Sequence, residues 1–392
     1  MGLFKSNKLN SVSKDLLYSV AGLCLMNGVV QLLVNPFLQK QLGSERFGTV
    51  LSLISVLSII AITIGTSLNY SRMIASAKKR ECNGDYFLFL IVSAAVSVPI
   101  SLIALCRIDR FSALGFIGYA ALTALTAARY YADVNYRLDT DFKGFFIFYA
   151  LMSAGYAVGV LMFRFTGWLV TYLLAELAAL AFVAARGKIF RCSPFKTSPH
   201  VKSNLKSYIT LAGTNLITSV LSNVDRLLIL SFIDPNAVTV FYTASLFGKV
   251  IAILTAPLNG VIISHLAKYD GTLRRKTFAV LNGIMLFAAA VISVVCIAAS
   301  FIFVKIMYSN VYEEAKSIIP IATIGQVFYF ISGTVMVVLM RFTKERIQFV
   351  INGLFFVAYI ALSVSGIERG GLFGFAVGVL IANALRMLLT FV

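Results

Sequence analysis

Charged residues are scarce in this sequence of 392 residues. Only 13% of the residues are charged and 59% are hydrophobic, with a mean hydropathy of +0.89. Soluble globular proteins are about half apolar and about a quarter charged. The chain therefore has too little polar surface to cover a soluble core of its size, and the composition predicts a helical membrane protein.

Motifs of catalytic and metal sites are also missing. The sequence has two histidines, and its five cysteines are scattered without a CxxC pair, which argues against a zinc site or a disulfide framework. It contains no Walker motif, no HExxH motif and no nucleophile elbow, and no predicted loop exceeds about 20 residues. We therefore expect no catalytic residues, metal ion or cofactor, and a protein that is not an enzyme.

Apolar runs of about 20 residues, the length that crosses a hydrocarbon layer about 30 Å thick, recur along the chain. Their approximate limits are 16–38, 47–68, 86–106, 111–132, 144–163, 167–186, 206–233, 237–267, 277–303, 317–340, 347–366 and 370–391. A polar, basic interlude at 186–206 separates the first six from the last six. We predict an all-α integral membrane protein with about twelve transmembrane helices in two six-helix bundles around a central cavity. The predicted bundles are residues 1–200, which include a cytoplasmic linker, and residues 201–392.

The two halves resemble each other faintly, since "SVAGLCLMN" opens the first span and "TLAGTNLIT" opens the seventh. This indicates a pseudo-twofold repeat, an arrangement in which transporters bind substrate between the halves. The net charge of +18 follows a topological pattern. The N-terminal tail and the loops after even-numbered spans hold about three times as many basic residues as the other loops, which places both termini in the cytoplasm. No nucleic-acid partner is needed to explain the charge.

Few ionisable residues lie deep inside the predicted spans: Glu176, Asp225, Arg226, Lys249 and Arg386. Such residues are costly in a membrane and face a bundle interior or a water-filled cavity. Asp225 and Lys249 differ in predicted depth by about 8 Å, so that they could pair, and Arg226 is turned about 100° away. Either these charges only hold helices together, or the cations contact an anionic substrate and Asp225 tunes them.

The remaining ionisable residues have simpler interpretations. Glu176 has no partner evident in the sequence and is either a protonated packing group or a coupling-ion site. Arg386 is predicted to snorkel to the cytoplasmic surface. Arg72, Arg129 and Arg341 stand at predicted cytoplasmic helix ends, as topological anchors or as charges that attract anionic lipid heads.

Polar side chains and helix-breaking residues also follow patterns along the spans. Amides and hydroxyls form stripes at helical spacing that are expected to line a hydrated cavity. The stripe residues are Asn27, Gln31 and Asn35 in the first span, and Asn215, Ser219, Ser222 or Asn223, and Arg226 in the seventh. Close helix packing is predicted at Gly370, Gly374 and Gly378. Pro36 and Pro257 predict breaks or kinks in the first and eighth spans.

Three segments resemble a known family. The segment "LGSERFGTVLSL" resembles a turn that follows a first helix, and "TIGTSLNYSRMIA" resembles the end of a second helix. The segment "SNVDRLLILSFIDPNAVTVFYTASLFGKV" resembles a seventh and an eighth helix. The family with these helices is the Wzx-type O-antigen and capsule flippases. These belong to the multidrug/oligosaccharidyl-lipid/polysaccharide (MOP) exporter superfamily. Asp225 matches the seventh-helix Asp of that family, and Gly43 and Gly48 match its turn glycines, with structural roles. The sequence ends at Val392, directly after the twelfth span, where relatives often carry a polar tail.

The resemblance implies a flippase of the bacterial inner membrane. Its substrate would be an oligosaccharide repeat unit on undecaprenyl diphosphate, for O-antigen, lipopolysaccharide or capsule, moved from the cytoplasmic to the periplasmic leaflet. Implied partners are membrane lipids, a polysaccharide polymerase and a chain-length regulator. The cavity candidates for the pyrophosphate and the glycan are Arg226, Lys249, Asp225, Asn27, Gln31, Asn215 and Asn223.

Three other functions are consistent with a polytopic membrane protein. A cation-coupled multidrug exporter of the same superfamily should have an acidic cavity, whereas the bases in these spans at least equal the acids. A membrane polysaccharide polymerase or ligase would be expected to carry a large periplasmic loop, and none is predicted. Export of lipid II or of a teichoic-type precursor differs only in the substrate.

Overall fold

The protein is all-helical throughout the part of the chain that its structure describes. The computed structural model describes residues 6–80, 82–109, 112–186, 189–190, 193–266, 271, 274–343 and 345–391, and no strand occurs among them. The chain divides into two compact units. Unit 1 comprises Met1–Gln41 with Thr49–Asp225, and unit 2 comprises Leu42–Gly48 with Arg226–Val392. The division falls inside one helix, and the predicted boundary at residues 200 and 201 stays a prediction.

Unit 1 is built from helices of the first half of the chain. They are α1 (Ser6–Val29), a π-helical segment (Val30–Val34), α2 (Asn35–Leu42), α3 (Ser44–Ala77), α4 (Asn83–Ile108), α5 (Ala113–Ala132), α6 (Val134–Leu138), α7 (Phe142–Thr166), α8 (Trp168–Arg186) and the first part of α9 (Val201–Phe232). Helix α7 packs against α8 and α1, and α5 packs against α8 and α4. Tyrosines and phenylalanines fill much of this interior.

Unit 2 continues with the end of α9. Its further helices are α10 (Pro235–Leu266), α11 (Arg275–Met307), a short 3-10 turn (Ser309–Val311), α12 (Tyr312–Ala315), α13 (Ile319–Phe342) and α14 (Glu345–Phe391). Helix α13 contacts α10, α11 and α14 and therefore forms the centre of this unit. A core of Ala289, Val327, Ile331 and Met387 joins α11, α13 and α14.

Long apolar helices account for the predicted spans. Among the described residues, eight helical stretches are long and apolar enough to cross a membrane, and Val350–Phe391 alone has 42 residues. Helix α14 covers two predicted spans, and every other predicted span coincides with a long helix or, at the first span, with α1 to α2. The predicted fold class, an all-α membrane protein of two helical bundles, is confirmed.

Pro36 disturbs the first span as predicted. The five residues before Asn35 form the π-helical segment, and the Asn35 N–H bonds the carbonyl of Val30. Proline has no N–H and its ring clashes with the carbonyl four residues earlier, so the regular α-helical ladder cannot continue through it. The wider π turn absorbs this mismatch. Such single π turns inside α-helices frequently occur at functional sites.

The two halves of α14 form a tight hairpin. The helical dihedrals are interrupted at Gly370 and at Gly371, which has a φ of 54°. A Cβ on Gly374 would lie 2.0 Å from the carbonyl oxygen of Gly366, and a Cβ on Gly378 would lie 2.3 Å from that of Leu362. The predicted close packing is thus confirmed for Gly374 and Gly378, while Gly370 belongs to the turn itself.

The turn between α2 and α3 packs on α10 within unit 2. Gly43 has a φ of 78°, and a Cβ on Gly48 would lie 1.7 Å from the carbonyl oxygen of Pro235. The Thr239 hydroxyl donates to the carbonyl of Ser44 (2.6 Å). No side chain fits between the two backbones at Gly48. The structure therefore explains both glycines of the "LGSERFG" turn, Gly43 by its positive φ and Gly48 by the close backbone contact.

The polar interlude after α8 is docked on the start of α4. Asp85 is fully buried and accepts hydrogen bonds from the Ser198 N–H (2.7 Å), the Ser198 hydroxyl (2.6 Å) and the Asn204 amide (2.9 Å). A carboxylate with three donors is well compensated for its burial. The described part of the interlude is therefore an ordered component of unit 1.

Candidate functional site

The amide stripe of the first span lies beside the π-helical segment. Asn27 donates to the carbonyl of Leu23 in its own helix (2.8 Å). Asn35 donates to the Gln31 side-chain oxygen (3.2 Å) and accepts from the Tyr172 hydroxyl (3.3 Å). Asn27 and Gln31 are half-buried, whereas Asn35 is buried. The stripe therefore connects the first span to α8 instead of pointing only into open space.

A buried ion pair occupies the middle of unit 1. Arg129 Nε on α5 donates to Glu176 Oε2 on α8 (2.8 Å), and only 6% and 4% of the two side chains are exposed. The Thr126 hydroxyl donates to the other carboxylate oxygen (3.1 Å). The Arg129 guanidinium also lies over the Tyr130 ring, 3.9 Å from its centroid. Both charges are thus satisfied by direct partners.

This arrangement bears on two sequence-based interpretations. Glu176 has no partner evident in the sequence, and Arg129 is predicted to be a topological anchor or a charge that attracts anionic lipid heads. The structure gives Glu176 a direct partner and buries Arg129 in the helical bundle, so Arg129 is not an exposed anchor. The two roles predicted for Glu176, a packing group or a coupling-ion site, stay predictions. Arg72 is also not an exposed anchor, because it is buried and donates to the Tyr131 hydroxyl (2.8 Å) and to the Asn83 side chain. Arg341 is exposed, as expected of an anchor.

Two tyrosines link the amide stripe to the ion pair. The rings of Tyr156 and Tyr172 meet edge to face with centroids 5.5 Å apart, and the Tyr172 hydroxyl bonds Asn35. The tyrosines thus connect the first span to α7 and α8, and Glu176 on α8 extends the contacts to Arg129 on α5.

The stripe on the seventh span divides between the two units. Asn215 donates to the Ser67 hydroxyl on α3 (2.8 Å), and Asn223 donates to the carbonyl of Ser219 in its own helix (2.9 Å). Asn215 is half-buried, while Asn223 and Asp225 are buried in unit 1. The described hydrogen bonds of these amides are thus made within unit 1.

Arg226 and Lys249 belong to unit 2. The Arg226 guanidinium lies over the ring of Tyr242, 5.1 Å from its centroid, and Tyr242 is itself buried against Phe47. Arg226 and Lys249 are half-buried. A cation over an aromatic face is stabilised by about 0.5–2 kcal/mol, so the Tyr242 ring contributes to the stability of the Arg226 side chain. The pairing of Asp225 with Lys249 stays a prediction.

Arg386 is buried, so the prediction that it snorkels to the surface is wrong. It is 9% exposed, and its guanidinium lies 4.5 Å from the Tyr329 ring centroid and 4.8 Å from that of Phe355. Its Nη1 donates to the carbonyl of Tyr329 (3.4 Å). The two rings come from α13 and the first half of α14, and sequence position alone could not show that they flank the arginine.

Within the described ranges no group of three or more His, Cys, Asp or Glu side chains is arranged to hold a metal ion. The polar groups that the fold brings together around the predicted site residues are amides, hydroxyls, the Arg129–Glu176 ion pair and cations beside aromatic rings. Such groups can bind a polar or anionic molecule by hydrogen bonds and charge.

Comparison with known proteins defines the class of fold. No protein-family model matches the chain, and no curated protein matches it. Among solved structures, the lipid II flippase MurJ in an inward closed conformation has a TM-score of 0.69 at 16% identity, over 95% of this chain and 86% of that one. The Vibrio cholerae MATE transporter VcmN in the bent form has a TM-score of 0.62 at 16% identity, over 97% and 95%.

A further MATE transporter of the MOP superfamily, in an inward-facing conformation, has a TM-score of 0.63 at 12% identity, over 94% of this chain and 92% of that one. The protein thus shares its fold with these MATE transporters and with MurJ, and it is a multi-pass membrane protein. The branch of the family that the sequence resemblance implied stays a prediction. At these identities the likeness concerns the fold alone.

Proposed function

We propose that the protein is a flippase that moves an oligosaccharide repeat unit on undecaprenyl diphosphate from the cytoplasmic to the periplasmic leaflet of the bacterial inner membrane. The glycan would serve O-antigen, capsule or a similar surface polysaccharide. The flippase fold shared with MurJ supports this proposal. In this scheme both termini are cytoplasmic, and a polymerase with a chain-length regulator receives the product.

The excess of cations in the spans carries the proposal. Glu176 is paired with Arg129, and among the candidate substrate residues the one acid, Asp225, stands against the two cations Arg226 and Lys249. A pyrophosphate head carries negative charge that needs such cations in a site of low dielectric constant. The lipid tail can remain in the bilayer while the head group crosses.

Each group of residues has a distinct role in this proposal. Arg226 and Lys249 contact the pyrophosphate, and Asp225 tunes their position. Asn27, Gln31, Asn215 and Asn223 offer hydrogen bonds to sugar hydroxyls. The Tyr242 ring contacts the Arg226 guanidinium, and a guanidinium can bind phosphate oxygens through its N–H groups.

A cation-coupled multidrug exporter is the second candidate, because MATE transporters share the fold over nearly the whole chain. A cationic drug requires uncompensated acids in its cavity. The direct bond between Glu176 and Arg129 makes this carboxylate a poor ligand for a drug or a coupling cation. The geometry therefore favours the flippase.

Deletion of the gene in its own bacterium tests the function. We expect loss of a surface polysaccharide and accumulation of undecaprenyl-linked repeat units in the cytoplasmic leaflet, both restored by the wild-type gene on a plasmid. Susceptibility to cationic dyes should not change. Intact surface glycan together with greater dye sensitivity would establish the exporter instead.

A further inference from the structure

Arg386 is a buried cation without a carboxylate beside it. It is 9% exposed, and its contacts in the described structure are two aromatic rings and one backbone carbonyl. An unpaired charge in an apolar interior costs several kcal/mol. A nearby anion would offset this cost. No carboxylate of the described unit 2 residues lies beside Arg386, so we expect the anion to be a bound ligand.

The Nε of the guanidinium has no acceptor in the described part of the protein. Tyr329 and Phe355, whose ring centroids are 5.9 Å apart, both lie against the guanidinium, and Nη1 is directed to the Tyr329 carbonyl. Nε is buried and has no hydrogen-bond partner among the described residues. In arginine the Nε–H lies parallel to an N–H of Nη2, and this fork is the edge that binds anions side-on.

Nearby groups are consistent with a small ligand at this edge. Asn383, one helical turn before Arg386 on the same face of α14, is 2% exposed, and its side-chain oxygen also lacks a partner. The two ends of an asparagine amide can exchange by rotation, so it can donate as well as accept.

We propose that Arg386 is the centre of an anion-binding site inside unit 2, which binds a small inorganic anion at its Nε–Nη2 edge. The degree of burial excludes a bulky lipid-linked head group, so this site is separate from the proposed substrate cations. Chloride and phosphate are the two candidate anions. Phosphate would use the fork with two parallel hydrogen bonds, whereas chloride would accept both N–H groups at one point.

The test compares thermal unfolding of the purified full-length protein in detergent with increasing chloride or phosphate, at constant ionic strength set with gluconate. For the wild type we expect a saturable rise of the apparent Tm with at least one of the two anions, and the active anion identifies the ligand. Arg386→Met should abolish this rise. In gluconate alone, Arg386→Met should unfold at the wild-type temperature or higher. Methionine is about as long as the apolar part of arginine, and the variant no longer buries an uncompensated charge.

Two further variants separate binding from structure. Arg386→Lys keeps the charge but loses the fork and should weaken anion binding about tenfold or more. Arg369→Met removes an exposed arginine from the α14 turn and should retain the full anion response. The proposal is overturned if the wild type shows no saturable response, if Arg369→Met also loses it, or if Arg386→Met lowers the Tm equally in gluconate and chloride. The last result would make Arg386 only a clamp between α13 and α14.

Discussion

The ion pair of Arg129 and Glu176 leads to a quantitative prediction about stability. Glu176→Gln keeps the side-chain shape and the bond from Thr126 but leaves Arg129 charged in a site where 6% of its side chain is exposed. Removing one partner of a buried pair costs about 3–5 kcal/mol in soluble proteins. The attraction between Arg129 and the Tyr130 ring is worth about 2 kcal/mol at most and cannot replace the lost carboxylate.

The double variant Arg129→Met/Glu176→Gln should recover most of the lost stability. It contains no unpaired charge, and replacement of buried ion pairs by apolar groups is often neutral or stabilising. The apparent Tm and the abundance of each variant can be measured by fluorescence-detected size-exclusion chromatography after heating. If Glu176→Gln is as stable as the wild type, or if the double variant is no better than the single variants, the energetic interpretation of this pair is refuted.

The same variants decide what Glu176 does in transport. If Glu176 only packs against Arg129, the double variant should restore surface polysaccharide to a deletion strain once its abundance is restored. We expect this result, since both carboxylate oxygens are already occupied by protein donors. Restored abundance with no export would instead assign the pair a role in coupling.

Three other changes test separate parts of the structure. Arg226→Gln should leave abundance near normal and lower export, as measured by surface glycan at matched protein level, because a cation that meets substrate contributes little to the fold. Normal export would remove Arg226 from the substrate site. Gly374→Val should lower the apparent Tm, with a cost of about 1–3 kcal/mol or more from overpacking, since its Cβ would collide with the Gly366 carbonyl. Gly353→Val, where a Cβ meets open space, is the matched control, and equal Tm values would contradict the tight hairpin. A single cysteine in the 187–204 loop of a Cys-free version should resist a membrane-impermeant maleimide in intact cells, and labelling there would reverse the predicted orientation.

Local properties of the sequence determined the helical part of the fold. Apolar runs with the length of a bilayer became long helices, because a backbone in hydrocarbon must satisfy its hydrogen bonds within the segment. Pro36 disturbed the first span because it lacks an N–H wherever it stands. Gly374 and Gly378 indicated a close helix contact for a similar reason. The lack of a side chain can be read from the sequence without knowing which helix packs against it.

The partners of the charged residues were decided only by tertiary structure. Arg129 and Glu176 are 47 residues apart on α5 and α8, helices that are not consecutive, and helical spacing cannot show which two faces will meet. Arg386 is predicted at the surface from its position near the end of the sequence, whereas the packing of α13 and α14 buries it against the rings of Tyr329 and Phe355. Periodicity records which residues share one helix face. The contacts that neutralise or bury a charge depend on the rotation and depth of neighbouring helices, which long-range packing sets.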